Sequence, residues 1–307
     1  MPVKILALER SYHPLLAPLP DGFSLVTEPE ADVEMAVFGI DQKSRLTSLM
    51  PSLPSLRMVQ SLNSGVDWLL PSLPASVEVY NASGVHDAAV AEWIVAVLLS
   101  LRRRLPDLRE AQQRGEWIAN TTVPTASGAP PIGPIDTFEG GNVLIVGFGS
   151  IGRALAARLS PFGIRVQGFA SRARPDALTL DALPDLLPSA DAVVLLVPLT
   201  EATERLVDSK FLARMKPGAI LINAARGRLV DTEALIQALH QGKLSAALDV
   251  TDPEPLPGDH PLWRAPNLLI TPHVAGAVAS WQARAYRFTR EQLVRYVNGQ
   301  PLLNRVQ

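Results

Sequence analysis

Three side chains of this sequence have types and positions suited to one piece of chemistry. Each follows a short apolar run: Ala219 to Asn223 leads into Ala224, Ala225 and Arg226, Ser245 to Val250 leads towards Glu254, and Asn267 to Thr271 leads into Pro272 and His273. Arginine offers two parallel N–H groups to a carboxylate and can polarise the neighbouring oxygen, which the point charge of lysine does less selectively. Histidine titrates near neutrality, so it can give a proton to a carbonyl oxygen or remove one from a hydroxyl. A glutamate beside the far ring nitrogen would fix the tautomer and raise the pKa of the ring. Arg226, Glu254 and His273 therefore fit the interconversion of a small 2-oxo acid and a 2-hydroxy acid. Taken singly, each has an ordinary explanation, as a surface charge, a loop carboxylate or a structural histidine. Their succession at three consecutive strand ends is what points to a shared cleft.

That reaction needs a hydride carrier, and Gly147, Gly149 and Gly152 supply its expected seat. They form G-F-G-S-I-G directly after the apolar run Asn142 to Val146, with Ser150 and Ile151 at the start of a helical pattern. The first glycine permits a tight turn, the second lets a pyrophosphate approach the backbone, and the third lets helix and strand close up. Free N–H groups at the helix start would face the phosphates. An NAD site usually places Asp or Glu at the end of the next strand; here that position is Ala170, followed by Ser171, Arg172, Ala173 and Arg174. Arg172 can pair with the 2'-phosphate of NADP and Ser171 can donate to it, which favours NADP over NAD. A solvated basic loop is the bland alternative.

The elements that must position these residues read as two α/β regions. Val3 to Leu8 and Met35 to Ile40 read as buried strands of the first, with Arg57 to Leu62 as a third candidate. From Asp87 a long helical pattern, apolar on nearly every side in its early part, is expected to lie wedged between two domains, with the handover near residue 98. Leu105 to Phe138 is polar and then rich in Pro, Gly and Thr, as expected of a surface excursion or an arm packed on another subunit. A regular series follows, with strand candidates at 142–146, 164–169, 192–197, 219–223, 245–250 and 267–271. Helical segments at Gly152 to Leu159, Glu204 to Lys210 and Thr232 to Leu239 separate several of them. This alternation predicts a parallel sheet with crossover helices, and Ala279 to Asn298 reads as a closing helix.

Composition narrows the function classes. A chain of 307 residues, 47% hydrophobic, suits two domains with sizeable cores. Lys plus Arg number 28 against 30 for Asp plus Glu, which gives no basic field for nucleic acid. There is no cysteine, so disulfides, thiolate metal sites and cysteine nucleophiles are excluded. The five histidines are scattered, so no metal centre is expected. No stretch reaches the roughly 18 uncharged apolar residues of a membrane span, and the expected location is the cytoplasm.

Read together, GFGSIG (147–152), PLT (198–200), MKPGAILINAARGRLVD (215–231), AALDVTDPEPLP (246–257) and TPHVAG (271–276) resemble the D-isomer-specific 2-hydroxyacid dehydrogenases over nearly the whole chain. The resemblance implies two Rossmann-like domains of an α/β protein. The first is discontinuous, residues 1–98 plus 281–307, with the NAD(P)-binding domain, 99–280, inserted. It implies that Arg226, Glu254 and His273 are the catalytic set and that Asp249 contacts the nicotinamide end. Val197, Pro198, Ala224, Ala225 and Gly276 would line the cofactor cleft. Backbone N–H groups of Asn63, Ser64, Gly65 and Val66 would hold the substrate carboxylate together with Arg226. A homodimer paired through the cofactor domain and its arm is implied, as is closure of the domains over the substrate. Glyoxylate and hydroxypyruvate lead the expected substrates, with phosphoglycerate as an alternative. His86 is a candidate to touch the substrate side chain and Trp281 to supply an apolar wall, with a structural role as the alternative for each. Two departures stand out: the missing acid at Ala170, and a loop before Glu254 one residue shorter than the common pattern. Formate dehydrogenases of the wider group carry glutamine where Glu254 stands, which argues against formate. The rival of a different class is a nucleotide-sensing interaction protein that retains the fold.

Overall fold

The computed structural model describes residues 2–117 and 135–307. The chain divides into two compact units, Met1–Asp87 with Ala277–Gln307, and Ala88–Gly276. Each is built on one parallel sheet. In the first unit the strands are β1 (Val3–Ala7), β2 (Phe23–Val26), β3 (Val33–Phe38), β4 (Met58–Ser61) and β5 (Glu78–Tyr80), in the order β2-β1-β3-β4-β5. In the second they are β6 (Asn142–Val146), β7 (Arg165–Ala170), β8 (Leu178–Thr179), β9 (Ala192–Leu195), β10 (Ile220–Asn223), β11 (Ser245–Leu248) and β12 (Leu268–Ile270). Their order is β12-β11-β10-β9-β6-β7-β8. From β6 the chain therefore builds outward in one direction through β7 and β8, then returns to β9 and builds the other way. The reversal between β6 and β9 is the point where such sheets open a crevice beyond their carboxyl ends.

Burial on both faces explains why these strands read as unbroken apolar runs. Val143 and Ile145 of β6 face one cluster with Val194 and Ile222, while Leu144 and Val146 face another with Val193, Leu195 and Leu221. The helix Asp87–Arg102 supplies Val90, Ala91, Ile94, Val97 and Leu98 to the first of these clusters. All of that helix after Asp87 falls in the second unit, whereas the sequence reading put the handover near residue 98.

The first unit recovers its own closing segment from the far end of the chain. The helix Trp281–Val297 places Ala285, Tyr286 and Leu293 in one cluster with Ile5, Met35 and Val37. The tail then runs antiparallel to β5: Val306 N donates to Val79 O at 2.8 Å and Asn81 N to Asn304 O at 3.0 Å. Gln292, 1% exposed, locks this arrangement. Its amide nitrogen donates to Leu303 O at 2.8 Å and to Gln60 Oε1 at 3.3 Å, and its oxygen accepts from Leu303 N at 3.0 Å.

Local structure departs from the sequence reading in a few places. The expected helix at Glu204 to Lys210 lies instead at Ser209–Arg214, because Asp208 is the cap, accepting from Phe211 N at 2.8 Å. Before it, Arg205 takes a left-handed φ of 50° and Val207 bridges to Val230, which a helix would forbid. Strands β5 and β8, three and two residues long, are too short to be read, and β2 (Phe23–Val26), apolar at three of its four positions, is a strand that the sequence reading does not include. Leu105–Arg114 is helical and ends at Gly115 with φ 71°. The rest of the proposed arm, 118–134, lies outside the described residues. Among the described residues no helix is long and apolar enough to cross a membrane.

Replacing Gln292 with Ala should strand the Leu303 N–H and C=O and cost about 2–3 kcal/mol of stability. Urea unfolding measures this directly; a midpoint equal to wild type would show that the tail is held without the Gln292 bonds.

Candidate active site

The glycine loop after β6 has the shape that a dinucleotide requires. Gly147 takes φ 107°, and a Cβ there would run into the backbone of Leu196 and Val197. A Cβ on Gly152 would stand 2.9 Å from the carbonyl of Gly147, so helix and loop touch through missing side chains. At Gly149 nothing lies within 4 Å of a built Cβ, which leaves the loop open on the side a ligand approaches. The helix Ser150–Leu159 starts here with Ser150 and Ile151 in its first turn. These observations fit the expected NAD(P) group. Val197 is buried and Pro198 exposed at the neighbouring strand end, where Pro198 O accepts from Thr203 Oγ1 at 2.7 Å. At the end of β7, Ser171 and Arg172 are exposed.

The candidate catalytic residues follow the strand ends β10, β11 and β12, and the segments after β10 and β12 are shaped by buried polar side chains. Asn223, fully buried, donates from Nδ2 to Arg226 O at 2.8 Å and accepts from Ala225 N at 3.1 Å. This folds Ala224, Ala225 and Arg226 back over the end of β10. Arg226 donates through Nη1 to Ala225 O at 2.7 Å. A Cβ on Gly227 would collide with the carbonyl of Thr251, so the segments bearing Arg226 and Glu254 pack backbone to backbone.

Asp249, 3% exposed at the end of β11, organises the histidine. Its Oδ1 accepts from Thr271 Oγ1 at 2.6 Å and from Val274 N at 2.8 Å, and its Oδ2 accepts from Ala275 N at 2.9 Å. His273 N donates to Asp249 O at 2.7 Å. Between these bonds His273 takes φ 55°, a left-handed conformation that a residue with a Cβ adopts at a cost. The buried carboxylate offsets that cost and has room for one more donor.

The turn aims the imidazole at Glu254: Nδ1 lies 2.6 Å from Oε1. Both side chains are 41% exposed, so one face of the pair is open. The hydrogen bond to Glu254 raises the pKa of His273 above its ordinary value, against the opposing effect of burial. The same bond holds Glu254 below the usual carboxylate range. The Arg226 guanidinium is near enough to lower both. With Nδ1–H committed to Glu254, Nε2 is the atom free for proton transfer.

The loop Asn63–Val66 belongs to the first unit and is rigidly held there. Asn63 Oδ1 accepts from Ile40 N at 2.8 Å, Asn81 Nδ2 donates to Ser64 O at 2.9 Å, and Trp68 Nε1 donates to Gly65 O at 2.9 Å. Among the described residues, the backbone N–H groups of Ser64, Gly65 and Val66 have no acceptor. His86, whose Nε2 is 3.4 Å from Leu62 O, stacks on Trp281 with ring centroids 5.9 Å apart. Among the described residues no group of three or more His, Cys, Asp or Glu could hold a metal ion.

Asn223, Gly227 and Thr271 are the supporting residues that the sequence reading passed over. Gly227 directly follows Arg226 and Thr271 closes the run before His273, but only the fold reveals what each touches.

Comparison with known proteins supplies the family. A family described as "D-isomer specific 2-hydroxyacid dehydrogenase, NAD binding domain" matches residues 95–275. A glyoxylate reductase of Thermofilum pendens is 33% identical over 82% of this chain and 75% of its own length. The human glyoxylate reductase/hydroxypyruvate reductase is 32% identical over 81% and 76%. A crystal structure of a D-isomer specific 2-hydroxyacid dehydrogenase from Xanthobacter autotrophicus Py2, in complex with NADPH and MES, is 28% identical and superposes with a TM-score of 0.82, covering 100% of this chain and 98% of that one. With two parallel α/β units, a glycine loop at the sheet's switch point and these relatives, the chain belongs to the D-isomer-specific 2-hydroxyacid dehydrogenase family.

Proposed function

We propose that this protein reduces small 2-oxo acids to D-2-hydroxy acids with NADPH in preference to NADH, glyoxylate and hydroxypyruvate being the leading substrates. The observation that carries the reading is the 2.6 Å contact of His273 Nδ1 with Glu254, on a turn pinned beside the strand end that bears Arg226. The names of the glyoxylate and hydroxypyruvate reductases among its relatives support the substrate class. The exposed Arg172 and the missing acid at Ala170 support NADP, as does the NADPH in the Xanthobacter relative.

The residues divide the work as follows. Arg226 grips the substrate carboxylate and draws electron density from the C2 oxygen. The unsatisfied N–H groups of Ser64, Gly65 and Val66 are donors of the kind a carboxylate needs. The nicotinamide, when bound, supplies the hydride to C2. His273 Nε2 gives its proton to the C2 oxygen, and Glu254 stabilises the imidazolium before transfer and fixes the ring. Gly147, Gly149, Ser150, Ile151 and Gly152 would hold the pyrophosphate, with Val197, Pro198, Ala224, Ala225, Asp249 and Gly276 along the nicotinamide half. A homodimer is part of this reading: Trp117, 89% exposed within the arm, is an apolar side chain that pairing would cover.

A panel of 2-oxo acids, run separately with NADPH and NADH, tests the function. His273→Asn should lower kcat by about 10²- to 10⁴-fold, and Arg226→Lys should raise KM by about tenfold or more. Cofactor binding without turnover across the panel would instead favour a sensing role, and a preference for NADH would overturn the part assigned to Arg172.

The pH dependence follows from the raised pKa of His273. Reduction uses the imidazolium, so kcat/KM for reduction falls as pH rises through that pKa; oxidation uses the neutral ring and is lost as pH falls through it. Glu254→Gln removes the anionic partner and should move the reduction limb to lower pH. A limb that stays in place would show that Glu254 does not set the histidine's protonation.

A further inference from the structure

The adenosine end of the expected cofactor cleft holds a charge arrangement that the NADP reading does not use. After β7 the chain doubles back: Arg174 N donates to Ala177 O at 2.9 Å and Ala177 N to Arg174 O at 3.1 Å. This tight turn brings the Arg174 guanidinium onto the glycine loop, where Nη2 donates to the carbonyl of Phe148 at 2.6 Å. Arg153, one residue after the third glycine, donates to the same oxygen at 3.3 Å. Phe148 lies between Gly147 and Gly149, so two cations sit against the loop itself. Asp176, on the turn, faces both: Oδ1 is 3.5 Å from Arg174 Nε and Oδ2 is 3.7 Å from Arg153 Nη1. Arg172 is exposed and has no ion pair or side-chain hydrogen bond among the described residues.

The lengths of these contacts separate their roles. The Phe148 carbonyl anchors Arg174 by a short bond and Arg153 by a longer one. The two contacts of Asp176 are longer still, and its side chain is 45% exposed, so it adds charge more than it adds restraint. In this fold the end of β7 is where the adenosine ribose is read. A phosphate on its 2'-oxygen would bring about −1.5 to −2 charges towards the guanidinium groups and towards Asp176. A 2'-hydroxyl brings none.

We propose that Asp176 is a specificity-determining residue: its carboxylate partly neutralises Arg153 and Arg174 and opposes a 2'-phosphate, so the site discriminates between NADP and NAD less sharply than its three arginines alone would. The proposal rests on the adenosine end being read at β7, as the proposed function has it, and it sets the size of the cofactor preference rather than its direction.

Titration calorimetry with 2',5'-ADP and 5'-AMP, which differ only in the 2'-phosphate, tests this without turnover. Asp176→Asn should tighten 2',5'-ADP by about three- to tenfold more than it changes 5'-AMP at low salt, and lose most of that difference at about 0.5 M salt. Retained 5'-AMP binding also reports an intact glycine loop. If 2',5'-ADP gains no more than 5'-AMP does, the proposal is wrong. It is equally wrong if 5'-AMP binding falls, because the carboxylate would then be serving the ribose hydroxyls. Arg172→Gln is the separate control for the NADP reading: 2',5'-ADP should weaken, and if it does not, that reading fails while the Asp176 result stands by itself.

Discussion

The carboxylate of Asp249 is buried, and three hydrogen-bond donors from the His273 turn converge on it. Burying a carboxylate is costly unless it accepts hydrogen bonds, and here it accepts three, from Thr271, Val274 and Ala275 on either side of the histidine. The bonds hold a non-glycine residue at φ 55°. In an ordinary extended conformation the imidazole would leave the β12 end in another direction and lose Glu254. His273 is thus placed by backbone geometry, and the backbone geometry by one carboxylate.

The same device recurs one strand away. Asn223 uses its amide to fold the residues after β10 back on themselves, as Asp249 does for those after β12. Gly227 then lets that fold lie directly against the segment leading to Glu254. Parallel strands make this arrangement possible because their carboxyl ends all open on one edge, and each can deliver a short loop to a common place. The glycine loop after β6 opens on that edge too. Polar side chains buried at the strand ends position the exposed polar side chains beyond them.

Much of this is legible in the sequence alone. The strand, glycine and helix order at Gly147–Gly152 has one common physical use, and the residues closing three apolar runs share an edge in any parallel sheet. What stayed hidden was pairwise. Asn223 reads as the last residue of a strand, and nothing in its neighbours says that its amide turns back to Arg226. Asp176 reads as a surface charge until the turn at Arg174 and Ala177 sets it between two guanidiniums. The helix expected at Glu204 went elsewhere because the cap at Asp208 outweighs apolar spacing in a charged run. Strands β5 and β8, three and two residues long, are too short for a period to show; their neighbours in the sheet define them.

The central claim is that Asp249 and Glu254 together present His273 as a ring whose Nδ1–H is donated and whose protonated form is favoured. Nitrogen-detected NMR titration of the labelled imidazole, in wild type and in Asp249→Asn, tests it most directly. The account predicts a wild-type pKa above that of an ordinary histidine, with the proton of the neutral ring on Nδ1, and a loss of both features when the carboxylate becomes an amide. A wild-type ring that titrates at or below the ordinary value, or that keeps its proton on Nε2, would contradict it.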